Sequence, residues 1–330
     1  MGDMREQPQP DPTQEAAVDD VDPQLRVFMQ RMNAGYAAHD GMASASLPEL
    51  RRITGQVREQ WVRGGPEMAS TQKLEAGTLG TRIRILRPEA GSAPMPTLLY
   101  LHGGGWTMFS IDTHDRLMRE YAARANVAVV ALDYSLSPEM KFPRALEETL
   151  DATSWLAAHG PAHGIDPARL AIGGDSAGAN LAVASQLQAR AQGTRRAAAL
   201  LLNYGVYTDR HSPSWTRYDG PEYMLESEEM HRFWSHYLDG EDDRRNPLVM
   251  PLHGDLHGLP PTFMTIAECD ILADGNHAMA QALREAGVAV QAHTYHGATH
   301  SFLEAVSVSD LANRALDDAA HWLRQTLGSA

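Results

Sequence analysis

Along most of the chain, short apolar runs alternate with longer stretches in which apolar side chains recur every three or four residues. The short runs are TLLYLHG (97–103), VAVVALDY (127–134), LAIGG (170–174), AALLLNYG (198–205), TFMTIAE (262–268) and AVQAHTYH (289–296). Runs of this kind predict strands buried on both faces, and most of them are followed by segments with helical spacing. Strands alternating with helices define a mostly parallel sheet wrapped in helices, so the fold class is α/β.

Three stretches depart from that rhythm. Residues 21–67 show helical spacing, as in LRVFMQRMNAGYAA and VREQWV, before any strand occurs. KLEAG and TRIRILRP then alternate apolar with charged residues, as a half-buried antiparallel pair would. Between AALLLNYG and TFMTIAE lies a segment too long to be a connector, and it contains YMLESEEMHRFWSHYL, with large side chains at helical spacing. We read it as an insertion whose aromatic face packs on the domain beneath.

Composition narrows the partners. The chain has 330 residues, 43% of them hydrophobic, enough for a sizeable core. With 28 Lys+Arg against 42 Asp+Glu the net charge is −14, which disfavours nucleic acid and acidic membrane surfaces. No apolar run is long enough to span a bilayer, and no stable membrane insertion is expected. Cys269 is the single cysteine, so an internal disulfide is excluded, and a cytoplasmic location is the expectation. Residues 1–24, rich in acids and prolines, read as a polar, disordered leader rather than a signal peptide.

In an open parallel sheet ligands bind at the carboxyl ends of the strands, so polar residues there carry the candidate chemistry. Gly174-Asp175-Ser176-Ala177-Gly178 is a G-x-S-x-G pattern between a predicted strand and a predicted helix. Its tight turn would expose the Ser176 hydroxyl where the helix N-terminus favours negative charge. The bland alternative is a glycine-rich turn with an incidental serine. A serine hydroxyl needs a base, and His300 follows the last predicted strand, with His296 as competitor. The acid that orients the base is expected at Asp270, after TFMTIAE, with Glu268 and Asp274 as competitors. In His102-Gly103-Gly104-Gly105 the backbone could donate to an oxyanion together with the N–H of Ala177. No Lys-Ser or Lys-Thr follows these glycines, which argues against a phosphate loop. The histidine pairs 253/257 and 296/300 lie in glycine-containing loops, so no metal site is expected. Cys269 reads as a buried structural residue.

Taken in order, His102-Gly103-Gly104-Gly105-Trp106, Asp133-Tyr134-Ser135-Leu136-Ser137-Pro138-Glu139, Gly174-Asp175-Ser176-Ala177-Gly178, Leu259-Pro260-Pro261 and His296-Gly297-Ala298-Thr299-His300-Ser301-Phe302 resemble the hormone-sensitive lipase family of α/β-hydrolases, bacterial family IV esterases. The resemblance runs from about Arg26 to the last helix. It implies an eight-stranded sheet, Ser176 as nucleophile, Asp270 and His300 completing the triad, and an oxyanion hole from Gly103, Gly104 and Ala177. It also implies a helical cap built from residues 25–70 and an insertion at about 208–250, over a catalytic domain spanning 71–330. Trp106, Asp175 and Tyr204 are the expected substrate-binding residues. The chain departs from the family in having Asp270-Ile271-Leu272-Ala273-Asp274-Gly275-Asn276 in place of D-P-L-R-D-E-G, and His300-Ser301-Phe302 in place of H-G-F.

The expected activity is hydrolysis of short- to medium-chain acyl esters through an acyl-enzyme, with no cofactor, by a monomer or homodimer. A deacetylase or amidase keeps the same triad on another bond, and a hydrolase-fold protein that binds without turnover is the non-enzymatic alternative.

Overall fold

The computed structural model describes residues 20–328 except Ser92 and Arg195. The expected leader falls mostly outside these residues. Its end is already part of the fold, because Val21 is buried and the Asp22 carboxylate caps the first helix, accepting from Gln24 N–H at 2.9 Å and Leu25 N–H at 3.2 Å.

Two helices precede the sheet: α1 (Pro23–Ala37) and α2 (Leu47–Val62), each with a proline in its first turn. Strands β1 (Ser70–Ala76) and β2 (Thr81–Arg87) form the expected antiparallel hairpin. Only β1 is half-buried, however. β2 is buried on both faces apart from Arg82, since it lies inside the sheet between β1 and β4 rather than at its edge.

The parallel part follows: β3 (Met95–Leu101), α3 (Asp115–Ala125), β4 (Ala128–Leu132), α4 (Arg144–His159), β5 (Ile165–Asp175), α5 (Ala177–Ala191) and β6 (Ala199–Asn203). After β6 come α6 (Pro213–Arg217) and α7 (Ser227–Tyr237), then β7 (Thr262–Cys269), α8 (Ala273–Glu285), β8 (Val290–Thr299) and α9 (Asp310–Leu327). The eight strands are ordered β1-β2-β4-β3-β5-β6-β7-β8, parallel from β4 onward. Every residue of β3, β4 and β6 is buried, as continuous apolar runs require in a sheet covered on both faces. No helix among the described residues is long and apolar enough to cross a membrane.

The centre of the sheet explains the two glycines of GDSAG. β5 lies between β3 and β6, and the turn into α5 passes directly over the end of β3. A Cβ at Gly174 or at Gly178 would collide with the carbonyl oxygen of Leu101, the last residue of β3. Ser176 between them holds φ 53° and ψ −116°, a conformation outside the regions that L-residues ordinarily adopt. Neighbouring contacts must stabilise that turn, and Ser176 N–H donates to Asn203 C=O at 2.9 Å, anchoring it on β6.

Gly178→Ala should therefore destabilise the protein by about 1–3 kcal/mol, the usual cost of overpacking. Equilibrium urea unfolding monitored by circular dichroism measures it.

Candidate active site

Ser176, His300 and Asp270 come from three separate strand ends and meet in one hydrogen-bonded chain. His300 Nε2 lies 3.1 Å from Ser176 Oγ, and His300 Nδ1 lies 2.7 Å from Asp270 Oδ2. All three side chains are buried. The other oxygen of Asp270 accepts from Leu272 N–H at 2.9 Å, which fixes the carboxylate plane. Burial alone would depress the pKa of His300, but the Asp270 carboxylate outweighs it and the net shift is upward.

The competitors are elsewhere. His296 is exposed and pairs with Glu268 at 3.0 Å. Asp274 accepts from Ser214 N–H at 2.9 Å.

The loop after β3 runs through three consecutive positive φ values, 109° at Gly104, 58° at Gly105 and 57° at Trp106. Successive residues of this kind turn backbone N–H groups toward one concave side. Gly104 and Gly105 both line the cavity above Ser176, and neither N–H donates to any described residue. Ala177 begins α5, so its N–H has no intrahelical acceptor.

Gly103 differs from the expectation. Its N–H donates to Asp175 Oδ1 at 3.1 Å, and it is not part of the cavity wall. The available loop donors are thus Gly104 and Gly105, one residue later than the sequence reading placed them. Gly105 has no room for a side chain either, because a Cβ there would strike the ring of Phe233 on α7.

The three expected substrate-binding residues take different places in the structure. Trp106 is fully buried, stacked on Tyr237 with centroids 4.2 Å apart and against Trp234 at 4.6 Å, so it fastens α7 to the loop and touches no cavity. Tyr204 is fully buried too, with its ring edge-on to His300 at 5.1 Å, supporting the imidazole from behind. Asp175 does border the cavity, but its carboxylate is committed to the protein. Oδ1 accepts from Tyr100 Oη–H at 2.8 Å and from Gly103 N–H, and Oδ2 meets His114 Nε2 at 3.2 Å. Burial would raise the pKa of Asp175, yet His114 and Tyr100 bring it below the ordinary value; His114 is correspondingly raised against its own burial.

The cavity has a volume of about 310 Å³. Its floor is Gly104, Gly105, Ser176 and His300, and its walls include Tyr36 and Arg58 of the N-terminal helices and Glu229 and Phe233 of α7. Sequence reasoning missed Gly105, His114, Arg58 and Glu229. Gly105 stood in the quoted motif, whereas the other three carry no spacing signal and reach the site only through tertiary packing.

A strained serine at the end of a central parallel strand, bonded to a histidine and an aspartate from later strand ends, defines a hydrolase of the α/β class. A family model described as alpha/beta hydrolase fold matches residues 98–304. The chain belongs to this alpha/beta hydrolase family. Ethyl acetate hydrolase of Pseudomonas putida is 36% identical over 325 residues, which cover 93% of this chain and 99% of the relative. Acetyl esterase of Salmonella paratyphi B is 34% identical, covering 80% of this chain and 83% of the relative. Among solved structures, an ester-hydrolase from the metagenome of Lake Arreo, complexed with a bipyridine phosphonate derivative, superposes with a TM-score of 0.87 at 30% identity, covering 94% of this chain and 100% of its own. An esterase of Pyrobaculum calidifontis superposes with a TM-score of 0.83 at 30% identity, covering 92% and 98%.

Two predictions follow from this geometry. A base must be neutral to accept a proton, and the His300 pKa is raised, so kcat/KM for an ester should fall on acidification with a midpoint above the ordinary histidine value. Asp270→Asn removes the charge that raises it and should move that midpoint down while lowering kcat; a pH–rate profile of both proteins checks the sign. Asp175→Asn keeps an acceptor for Gly103 but weakens the hold on His114, and should lower kcat on the order of 10²-fold through loop displacement. Steady-state kinetics on p-nitrophenyl acetate, with circular dichroism as a folding control, measures it.

Proposed function

We propose that Ser176 is the nucleophile of a short-acyl carboxylesterase related to the hormone-sensitive lipase family. The enzyme is a carboxylesterase, in keeping with its esterase relatives and esterase structural neighbours. The observation that carries the catalytic assignment is the continuous Ser176–His300–Asp270 chain opening onto the cavity floor.

In this reading the ester carbonyl sits over Ser176 with its oxygen toward the Gly104, Gly105 and Ala177 N–H groups. Ser176 Oγ attacks the carbonyl carbon as His300 Nε2 takes its proton, and the charge that develops on the carbonyl oxygen is met by those three donors. Each donor accounts for roughly 3–4 kcal/mol of barrier lowering at most. His300 then returns the proton to the leaving alkoxide, leaving an acyl group on Ser176. Water, deprotonated by the same imidazole, releases the acid and restores the hydroxyl. Asp270 holds the imidazole with Nε2 facing the serine and stabilises its charged form.

The size of the cavity favours short acyl chains, since about 310 Å³ is at the small end of ligand sites. Helices α1 and α2 together with the segment between β6 and β7 act as the cap that limits it. The named activities of the relatives, on ethyl acetate and acetyl esters, agree with that size. A non-catalytic binding role has no support from a site in which the base already contacts the serine.

With p-nitrophenyl esters from acetate to decanoate, kcat/KM should peak at the short end and fall steeply beyond it. Ser176→Ala should lose turnover by about four orders of magnitude or more while the fold persists. Comparable turnover by the variant would end the assignment of Ser176.

A further inference from the structure

Helix α7 presents Glu226, Glu229 and Phe233 to the cavity, three to four residues apart and hence on one face. Phe233 packs over Gly105, which sets the helix close above the oxyanion loop. Glu229 is half-buried and lines the same cavity as Ser176 and His300, yet its carboxylate accepts no hydrogen bond from any described residue and joins no ion pair with one. Burial pushes its pKa up, only partly offset by Arg232, His300 and Arg58.

Arg58, the buried cation nearby, is already engaged. Arg58 is ion-paired with Glu304 at 3.0 Å, bonded to the Tyr36 hydroxyl, and lies over the Phe109 ring at 3.8 Å. Arg232 is mostly exposed on the rim, 4.0 Å from Glu228. A carboxylate partly withdrawn from water and without a protein donor has acceptor capacity to spare, and the space in front of this one is the substrate cavity.

We propose that Glu229 is the recognition group for a hydrogen-bond donor, a hydroxyl or an ammonium, carried by the ester substrate. The inference rests on Ser176 being the nucleophile of the same cavity. A substrate anchored at Ser176 by its carbonyl places its remaining atoms in the space that Glu229 borders. An ammonium or hydroxyl there satisfies the carboxylate, an alkyl group leaves it unpaired, and a carboxylate repels it. Glu229 thereby selects small polar esters over alkyl esters of equal size.

The test compares two isosteric pairs on wild-type enzyme, Glu229→Gln and Glu229→Met. Isoamyl acetate is set against protonated dimethylaminoethyl acetate for the alcohol side, and ethyl isovalerate against ethyl β-hydroxybutyrate for the acyl side. For at least one pair the donor-to-alkyl ratio of kcat/KM should fall by about tenfold or more, in Glu229→Gln for the ammonium and in Glu229→Met for the hydroxyl. A wild-type measurement needs no variant to fold: dimethylaminoethanol should inhibit p-nitrophenyl acetate hydrolysis at lower concentration than isoamyl alcohol. Ratios unchanged in both variants, or preference of the wild type for monoethyl succinate over these esters, would overturn the inference. Absence of any wild-type ester turnover would instead overturn the esterase reading beneath it.

Discussion

The Asp175 carboxylate joins the two loops that must be in register for the site to exist. One of its oxygens holds the first glycine of the loop after β3 and the Tyr100 hydroxyl, and the other holds His114 at the start of α3. Asp175 itself is the last residue of β5 and directly precedes Ser176. Ser176 and the glycine loop therefore share a single buried anchor. A charge in that position is costly unless paired, and here it has three donors within hydrogen-bonding distance. Preorganisation of this kind is what an oxyanion hole needs, because donors that had to reorient during the reaction would lose most of their effect.

From that anchor the fold works outward. Trp106 continues the loop and is sandwiched with Tyr237 and Trp234, so α7 is positioned by aromatic packing on the loop. Arg58 performs the matching task for α2. Its guanidinium is buried against Glu304, four residues after His300, and also touches Tyr36 of α1. The helices above the site are thus fixed to the loop on one side and to the base-bearing segment on the other. Removing one partner of such a pair would strand a buried charge, so both must be kept together.

The strand pattern, the GDSAG turn and the order of serine, acid and base were legible in the chain because each has a local cause: buried strands leave apolar runs, and a tight turn leaves glycines. Trp106 and Tyr204 are not among the residues lining the cavity, because adjacency to a motif in sequence says nothing about which side of the backbone a side chain takes. In the loop after β3, where φ is positive at three successive residues, Gly104 and Gly105 line the cavity while the Trp106 indole is buried against Trp234 and Tyr237. The Gly103 N–H is likewise taken up by Asp175, a contact that sequence spacing does not show. Glu229 and Arg58 were illegible because nothing in their neighbourhoods marks them, and only the docking of separate helices brings them beside Ser176.

The loop that carries the acid shows how a family pattern can be replaced without losing its geometry. Where the family has D-P-L-R-D-E-G, this chain lacks the proline and the arginine, and other bonds supply the support. Ser214 Oγ donates to Ile271 C=O at 2.7 Å, and Asp274 accepts from Ser214 N–H, so α6 braces the loop from above. Asn276 is buried and exchanges bonds with Gly205, accepting from its N–H at 3.0 Å and donating to its C=O at 2.8 Å. That exchange ties α8 to the end of β6, next to Tyr204 behind the imidazole. Asp270 and the strand end that carries Tyr204 are consequently braced through Ser214, Asp274 and Asn276, and none of these contacts uses the backbone N–H that a proline at position 271 would lack. What constrains Asp270 is the direction of its two oxygens, one on Leu272 N–H and one on His300, and more than one loop sequence can hold it there.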